Sequence, residues 1–339
     1  MRVGRNRVVA AARDDFREAA REDGSRRLPA DVLARLTSLD DRLSWRALAR
    51  TVGLAIAALS VGAWVWTPWV VLPALIVVAA QQHALFVLAH EAAHYRLLAN
   101  RRLNDLVGRA IGSVTGISMC TYRVVHRLHH NDLYGPDDPD IPLHGGYPRG
   151  RGYLVRKLAM DLSGLTAWKT YRYFFGSPAR SQGTSAQPRP LDDTSLALRV
   201  AAQADRGGVI ACQIVMPLVL AVFGGADGLL RYSVLWLLPL ATVLQAFLRI
   251  RAIAEHGAPL DVSSPLQAAR TNLPGPVARF FLFPHHVCHH IEHHLYPAVP
   301  QYRLPALHTE LAGRGWLAGA DIRRFPQTWR RVFAPRTSG

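Results

Sequence analysis

Fifteen histidines occur in this chain, and eight of them fall into three short patterns. His90-Glu91-Ala92-Ala93-His94 has the form HxxxH. His126-Arg127-Leu128-His129-His130 has the form HxxHH, and His290-Ile291-Glu292-His293-His294 repeats it. Residues three or four apart share one face of a helix, so each pattern can aim its imidazoles at one point. Neutral imidazole suits iron, zinc, copper and nickel. Eight histidines exceed what a single four- or six-coordinate ion can use, so two metals are the economical reading. Zinc sites commonly use three or four ligands, which favours redox-active iron and activation of dioxygen. Next to the third pattern, His285, His286 and His289 could be extra ligands, supporting donors or interface residues. Isolated histidines such as His83, His144 and His308 read as structural or solvated.

HEAAH also satisfies HExxH, the pattern of zinc proteases, in which Glu91 would be the general base. That reading leaves both HxxHH patterns idle. Glu91 fits better as a carboxylate that orients a ligand imidazole.

The three patterns are far apart in the chain, so the elements between them must bring them together. Thr51 to Ala89 contains no ionisable side chain except His83 over 39 residues. That is enough for two crossings of a bilayer at roughly 20 residues each. Trp66-Thr67-Pro68-Trp69 breaks the run near its middle, giving spans at about 51–66 and 69–90 with the tryptophans as an interfacial belt. Two further apolar runs, about 208–224 and 229–250, are joined by Gly224-Gly-Ala-Asp-Gly228. The fold class that follows is an all-α integral membrane protein. Four transmembrane helices form two hairpins, and a helical cytosolic cap (91–207 and 251–339) carries the metal site. Residues 1–50 form a polar segment, either amphipathic on the membrane surface or a loose tail, and 51–339 form the membrane domain. LNDLVGRAIGSVTGISM suits a helix packed at the interface, and 177–190 reads as a flexible loop. The N-terminus is too charged for a secretory signal peptide.

The net charge is +16, from 38 Arg and only two Lys, Lys157 and Lys169, against 24 acidic residues. The two short turns of the four-span arrangement hold none of these cations except Arg231. The positive-inside rule therefore places the long segments, and all three patterns, in the cytoplasm, as expected for a bacterial inner membrane protein. No nucleic-acid motif accompanies the charge. Three dispersed cysteines exclude a disulfide framework and a Cys-based zinc site.

The order HEAAH, HRLHH and HHIEHHLYPAVP on a two-hairpin scaffold resembles the membrane fatty acid desaturase superfamily, over about residues 85–334. Flanking residues agree: Asn104-Asp105-Leu106, Asp137-Asp138-Pro139-Asp140, Leu295-Tyr296-Pro297 and Val299-Pro300. The resemblance implies two iron ions held without a bridging carboxylate by His90, His94, His126, His129, His130, His290, His293 and His294. His256, just after the last span, matches a further ligand. Some relatives carry an Asn four residues before that histidine. Here the position is Ala252, with Glu255 or His286 available to substitute. Groups that could orient or supplement the ligands are Glu91, Asp138, Asp140, Glu255, His286 and Glu292.

The implied activity is dioxygen-dependent desaturation of a fatty acyl chain lying in a narrow apolar tunnel. Hydroxylation, ketone formation, acetylene formation and oxidative decarboxylation are alternative outcomes on the same scaffold. No HPGG haem-binding motif appears, so electrons are expected from a separate donor of the ferredoxin or cytochrome b5 type.

Overall fold

The computed structural model describes residues 27–135, 138–175 and 196–334. The predicted loop at 177–190 and the first 26 residues lie outside them. The described chain is mostly helical. Its strands are two three-residue segments, β1 (Thr271–Leu273) and β2 (Ile322–Arg324), paired in parallel.

A short helix, α1 (Ala30–Thr37), leads into α2 (Asp41–Trp64). The side chain of Asp40 caps α2 by accepting from the Arg42 amide at 3.0 Å. Residues 41–50, which composition places in the polar segment, are thus the first turns of the first apolar helix. The chain breaks at 65–67 and restarts at Pro68, where a missing amide costs nothing, as α3 (Pro68–Ala93). From Pro68 to His90 this helix rises about 33 Å, roughly the thickness of a bilayer core, so the first histidine pattern emerges at the far interface. Nearly every residue of α3 from Ala74 onward is buried. A helix that is apolar all round belongs at the centre of a bundle, and α3 packs against the helices that precede and follow it and against the last apolar one, Val243–His256.

After the connecting α4 (Arg101–Thr115), α5 (Met119–Asn131), α6 (Arg151–Leu162) and α7 (Ala167–Phe174) comes α8 (Leu196–Tyr232). α8 is broken at Gly225, whose φ of 59° lies in the left-handed region that glycine adopts without strain. A methyl group on Gly228 would stand 2.8 Å from the carbonyl oxygen of Leu220. Eight residues of straight helix span about 12 Å, so the chain doubles back here. Arg231, just past the turn, lies 5.0 Å over the ring of Trp66 and donates to the Ala63 carbonyl. The two turns therefore sit at the same end of the molecule. A π-helical turn at Ser233–Leu237 leads on to α9 (Val243–His256).

Three helical stretches are long and apolar enough to cross a membrane: Ala30–Trp64, Pro68–Ala93 and Val200–His256, the last containing the reversal. Their outer faces carry exposed Ile56, Val61, Trp64, Trp69, Val222 and Phe223. So large an apolar surface is stable against lipid and not against water.

At the opposite end α10 (His290–Leu295), α11 (Leu304–Gly313) and α12 (Phe325–Val332) complete a helical cap with α4–α7. α4 lies tightly on α3. A Cβ at Gly108 would stand 2.5 Å from that of Ala92, inside the first histidine pattern. Gly108→Val is expected to lower stability by about 1–3 kcal/mol, the usual cost of overpacking. A reduced thermal midpoint of the detergent-purified protein would register it, and an unchanged midpoint would refute the close contact.

Candidate metal centre

Each histidine pattern is carried by a helix end that other segments hold in place. The last carbonyls of α3 would be orphaned, but Asn104 Nδ2 donates to Ala92 at 3.0 Å and Arg123 Nε to Ala93 at 3.0 Å. Arg123 is anchored in turn by Asp105 at 2.6 Å. His90 and His94 are thereby fixed. On the far side, buried Arg270 holds the end of α9, which carries His256. Its guanidinium donates to the carbonyls of Ala254 and Gly257 at 3.1 and 3.0 Å, to Ala258 at 3.1 Å, and to Asp321 Oδ2 at 2.9 Å.

The structure sorts nine histidines into two groups. His90, His94, His126, His130 and His293 each place a ring nitrogen within 4.8 Å of the others, and so do His129, His256, His290 and His294. Within the first group His130 Nε2 is 2.9 Å from His126 Nε2 and 3.0 Å from His293 Nε2. Within the second, His256 Nε2 is 3.2 Å from His129 Nε2 and 2.7 Å from His290 Nε2. The groups adjoin, with the His130 and His294 rings stacked at 4.3 Å. Helical spacing explains the division: each HxxHH pattern gives its i,i+4 pair to one group and its middle histidine to the other.

Proton positions show what these nitrogens can bind. His129 Nδ1 faces Asp138 Oδ1 at 2.9 Å, and His256 Nδ1 faces the Ala268 carbonyl at 3.5 Å. Each acceptor takes a proton from Nδ1, which in the neutral ring leaves Nε2 as a lone pair. The two Nε2 atoms stand 3.2 Å apart, close enough for one cation to take both once His129, which Asp140 and Asp138 favour in its protonated form, gives up its second proton. The Nε2 atoms of His90 and His94 are buried without a hydrogen-bond partner. The residues present therefore fit a metal ion in each group, and neither group includes a carboxylate.

Burial pushes His94 down to about 4, helped by Arg96 and Arg123. Burial and then the neighbouring imidazoles hold His126, His130, His290, His293 and His294 well below the ordinary histidine range. These rings are neutral at pH 7 and offer lone pairs without losing a proton first. His129 is the exception. Burial lowers it, but the carboxylates of Asp140 and Asp138 outweigh that effect and raise it.

The supporting residues named from sequence divide. Asp138 is buried against His129 and also accepts from the Tyr134 and Asp140 amides, both at 2.9 Å. Asp140 Oδ2 lies 3.6 Å from His129 Nδ1. Glu91 Oε1 is 3.2 Å from His90 Nδ1, and its other oxygen accepts from the Gln301 amide at 2.9 Å. Glu255 pairs with Arg251 at 2.8 Å and places Oε2 3.8 Å from His290 Nε2. Glu292, in contrast, turns away from the groups, accepting from Thr271 at 2.5 Å and pairing with His308 Nδ1. With His289 these two form a separate cluster. His286 is half-buried within electrostatic reach of Arg279 and Arg50 and belongs to neither group. His285 faces Thr51 Oγ1 at 3.1 Å.

Of the two readings that its isolation allows, structural or solvated, His144 is not solvated. It is buried, its ring is 4.9 Å from that of His256, and its Nε2 is 3.7 Å from Asp138 Oδ2. The available signal was its position four residues after Asp140 in the turn-rich segment following the second pattern. Asp138→Asn would swap an acceptor for an amide and weaken the hold on His129. Such changes cost about 10–100-fold in metal affinity, which a chelator titration of the purified variant would measure. Affinity unchanged from wild type would show that Asp138 does not orient His129.

A cavity of about 620 Å³ opens onto the centre at His126, His129, His256 and His290. Most of its lining is carbon surface, from side chains such as Phe174, Leu248 and Trp168, with Asp140, Asp161, Arg249, Arg251 and Glu255 set into it. The reason for the charges is local: α6, α7 and α9 turn ion-paired faces toward the space, with Arg249 Nη2 2.9 Å from Asp161 Oδ1 and Arg251 bonded to Glu255.

A comparison with curated proteins finds no match to the chain. The profile of the family described as Fatty acid desaturase, however, matches residues 64–317. That match starts at the end of α2 and finishes just past α11, so it takes in all nine histidines of the two groups, and the chain belongs to the fatty acid desaturase family.

Proposed function

We propose that this protein is a membrane-bound, dioxygen-dependent lipid desaturase with iron in both histidine groups. The observation that carries the reading is the convergence of nine imidazoles, six buried and three half-buried, with their ring nitrogens facing one another, in a member of this family. His90, His94, His126, His130 and His293 would hold one iron, and His129, His256, His290 and His294 the other. Iron held there supplies the redox chemistry that lets dioxygen attack an unactivated C–H bond.

The chain's own residues do the rest. Asp138 fixes the His129 tautomer, and Glu91 orients His90. The reversal at Gly225, and the contact of Arg231 with Trp66 at 5.0 Å, support four crossings in two hairpins. That arrangement puts the histidines and the Arg-rich segments together on the cytoplasmic side of a bacterial inner membrane. The reaction consumes dioxygen, two electrons and two protons. Two hydrogens leave adjacent carbons, a double bond forms, and two waters are released. A separate ferredoxin- or cytochrome b5-type protein supplies the electrons.

The test is metal analysis of the purified protein followed by mass spectrometry of products from isotope-labelled fatty acids. Loss of two hydrogens from a labelled chain is expected. Gain of one oxygen without that loss would replace desaturation by hydroxylation at the same centre.

The protease reading is disfavoured by the engagement of both Glu91 oxygens, which leaves no base facing a substrate. Glu91→Gln is expected to keep its metal and to lose about 10–100-fold in lipid oxidation, as for other ligand-orienting residues. Proteolytic activity in the wild type that the substitution abolishes would reverse this assignment.

A further inference from the structure

Outside the two histidine groups the cap holds a third set of metal-binding side chains. His289, Glu292 and His308 each place a ligand atom within 4.8 Å of the other two. His289 directly precedes α10, Glu292 lies on it, and His308 is in the middle of α11. The His289 and His308 rings stand 5.1 Å apart between centroids. None of the three residues lines the cavity at the histidines.

Part of this set has an ordinary explanation. Glu292 is fully buried and pairs with His308 Nδ1, and a buried carboxylate needs such a partner. Thr271 on β1 donates to its other oxygen at 2.5 Å. Glu292 is therefore satisfied without a third residue. His289 is not explained in this way. Its Nδ1 is buried and has no hydrogen-bond partner among the described residues. A buried nitrogen left unpaired destabilises the fold. A cation shared with Glu292 and His308 would remove that cost.

The donor set selects the ion. Two imidazoles and one carboxylate are a recurring three-ligand set for zinc, with water in the fourth position. Both imidazoles are half-buried, so water can reach that position. At nitrogen and oxygen donors zinc also binds more tightly than ferrous iron. Zinc would replace the proton between His308 Nδ1 and Glu292 Oε1. Thr271 would keep its hydrogen bond to Oε2 and so orient the ligating carboxylate.

We propose that His289, Glu292 and His308 bind one zinc ion, distinct from the iron assigned to the two histidine groups. The ion ties α10 to α11. Because α10 carries His290, His293 and His294, the zinc braces from outside the segment that supplies the third histidine pattern. Its role is structural, and it does not depend on which lipid the protein oxidises.

The experiment uses the tag-free, detergent-purified full chain, first loaded with iron. Zinc sulfate alone is then titrated in, and zinc and iron per chain are counted after desalting. The wild type is expected to take up about one zinc per chain without losing iron. Its thermal midpoint should rise by at least about 2 °C. His308→Ala should weaken zinc binding by more than about 100-fold, beyond the loss for a residue that only orients a ligand, and should keep its iron. His289→Ala is the sharper variant. It leaves the Glu292–His308 pair in place, so a plain ion pair requires no change, whereas the zinc site requires the same loss as His308→Ala. His286→Ala, in the same stretch but outside every cluster, should bind zinc like the wild type. Wild-type zinc affinity in His289→Ala would overturn the inference, as would no zinc uptake by the wild type. Zinc that enters only as iron leaves would overturn it too, because the zinc would then sit in the histidine groups.

Discussion

His293→Ala is expected to empty the five-histidine group and reduce lipid oxidation to background. His293 is the one contribution of the third pattern to that group. Its ring lies 4.6 Å from that of His90, and its Nε2 is 3.0 Å from His130 Nε2, so it joins the imidazoles of α3 to those of α5. Alanine leaves four rings on one side and a gap on the other. Losing a residue that merely orients a ligand costs about 10–100-fold in affinity or activity, and losing a proposed ligand should exceed that. Iron per chain, counted in wild type and variant, checks the expectation. His286→Ala is the matched control, because His286 lies in the same histidine-rich stretch but outside both groups. Equal iron in His293→Ala and wild type would remove His293 from the centre.

Arg270→Ala carries the second large effect, because this residue ties the metal centre to the fold. Arg270 is 1% exposed, and so is the side chain of its partner Asp321. Breaking a buried pair costs about 3–5 kcal/mol, and Arg323, which also pairs with Asp321, offsets part of that. The substitution also removes a donor from the carbonyls of Ala254, Gly257 and Ala258, which flank His256, leaving Ala254 to Asn272 and Ala258 to Arg331. Thermal stability and iron content should therefore fall together. Arg270→Lys keeps the charge but lacks the planar fork, so it should recover only part of both. Replacing the pair together, as Arg270→Met with Asp321→Leu, should cost less stability than Arg270→Ala. It should still lose iron, because Gly257 stays without its donor and Ala254 and Ala258 keep one fewer. A wild-type midpoint in Arg270→Ala would refute this account.

Local spacing made much of the protein legible before its fold was known. The break between Trp66 and Trp69 appears between α2 and α3, and the glycines at 224–228 appear as a reversal at Gly225. The histidines put forward as ligands are the nine that converge. Each of these features depends on nearest-neighbour geometry. Proline and glycine restrict or free the backbone where they stand, and a three- or four-residue interval selects a helix face.

The allocation of histidines to two groups is a different kind of fact. His129 joins His256 and not its neighbour His130, because α5 meets α3 on one side and α9 and α10 on the other. The same holds for His144, for the withdrawal of Glu292 to His308 and Thr271, and for the charges set into the cavity beneath α6 and α7. Sequence alone determined which residues can act as ligands and which helix faces they share. Tertiary structure decided which ligands act together and what they face. Those outcomes depend on contacts between separate segments of the chain, from Thr271 with Glu292 to Gln301 with Glu91, and no local periodicity encodes them.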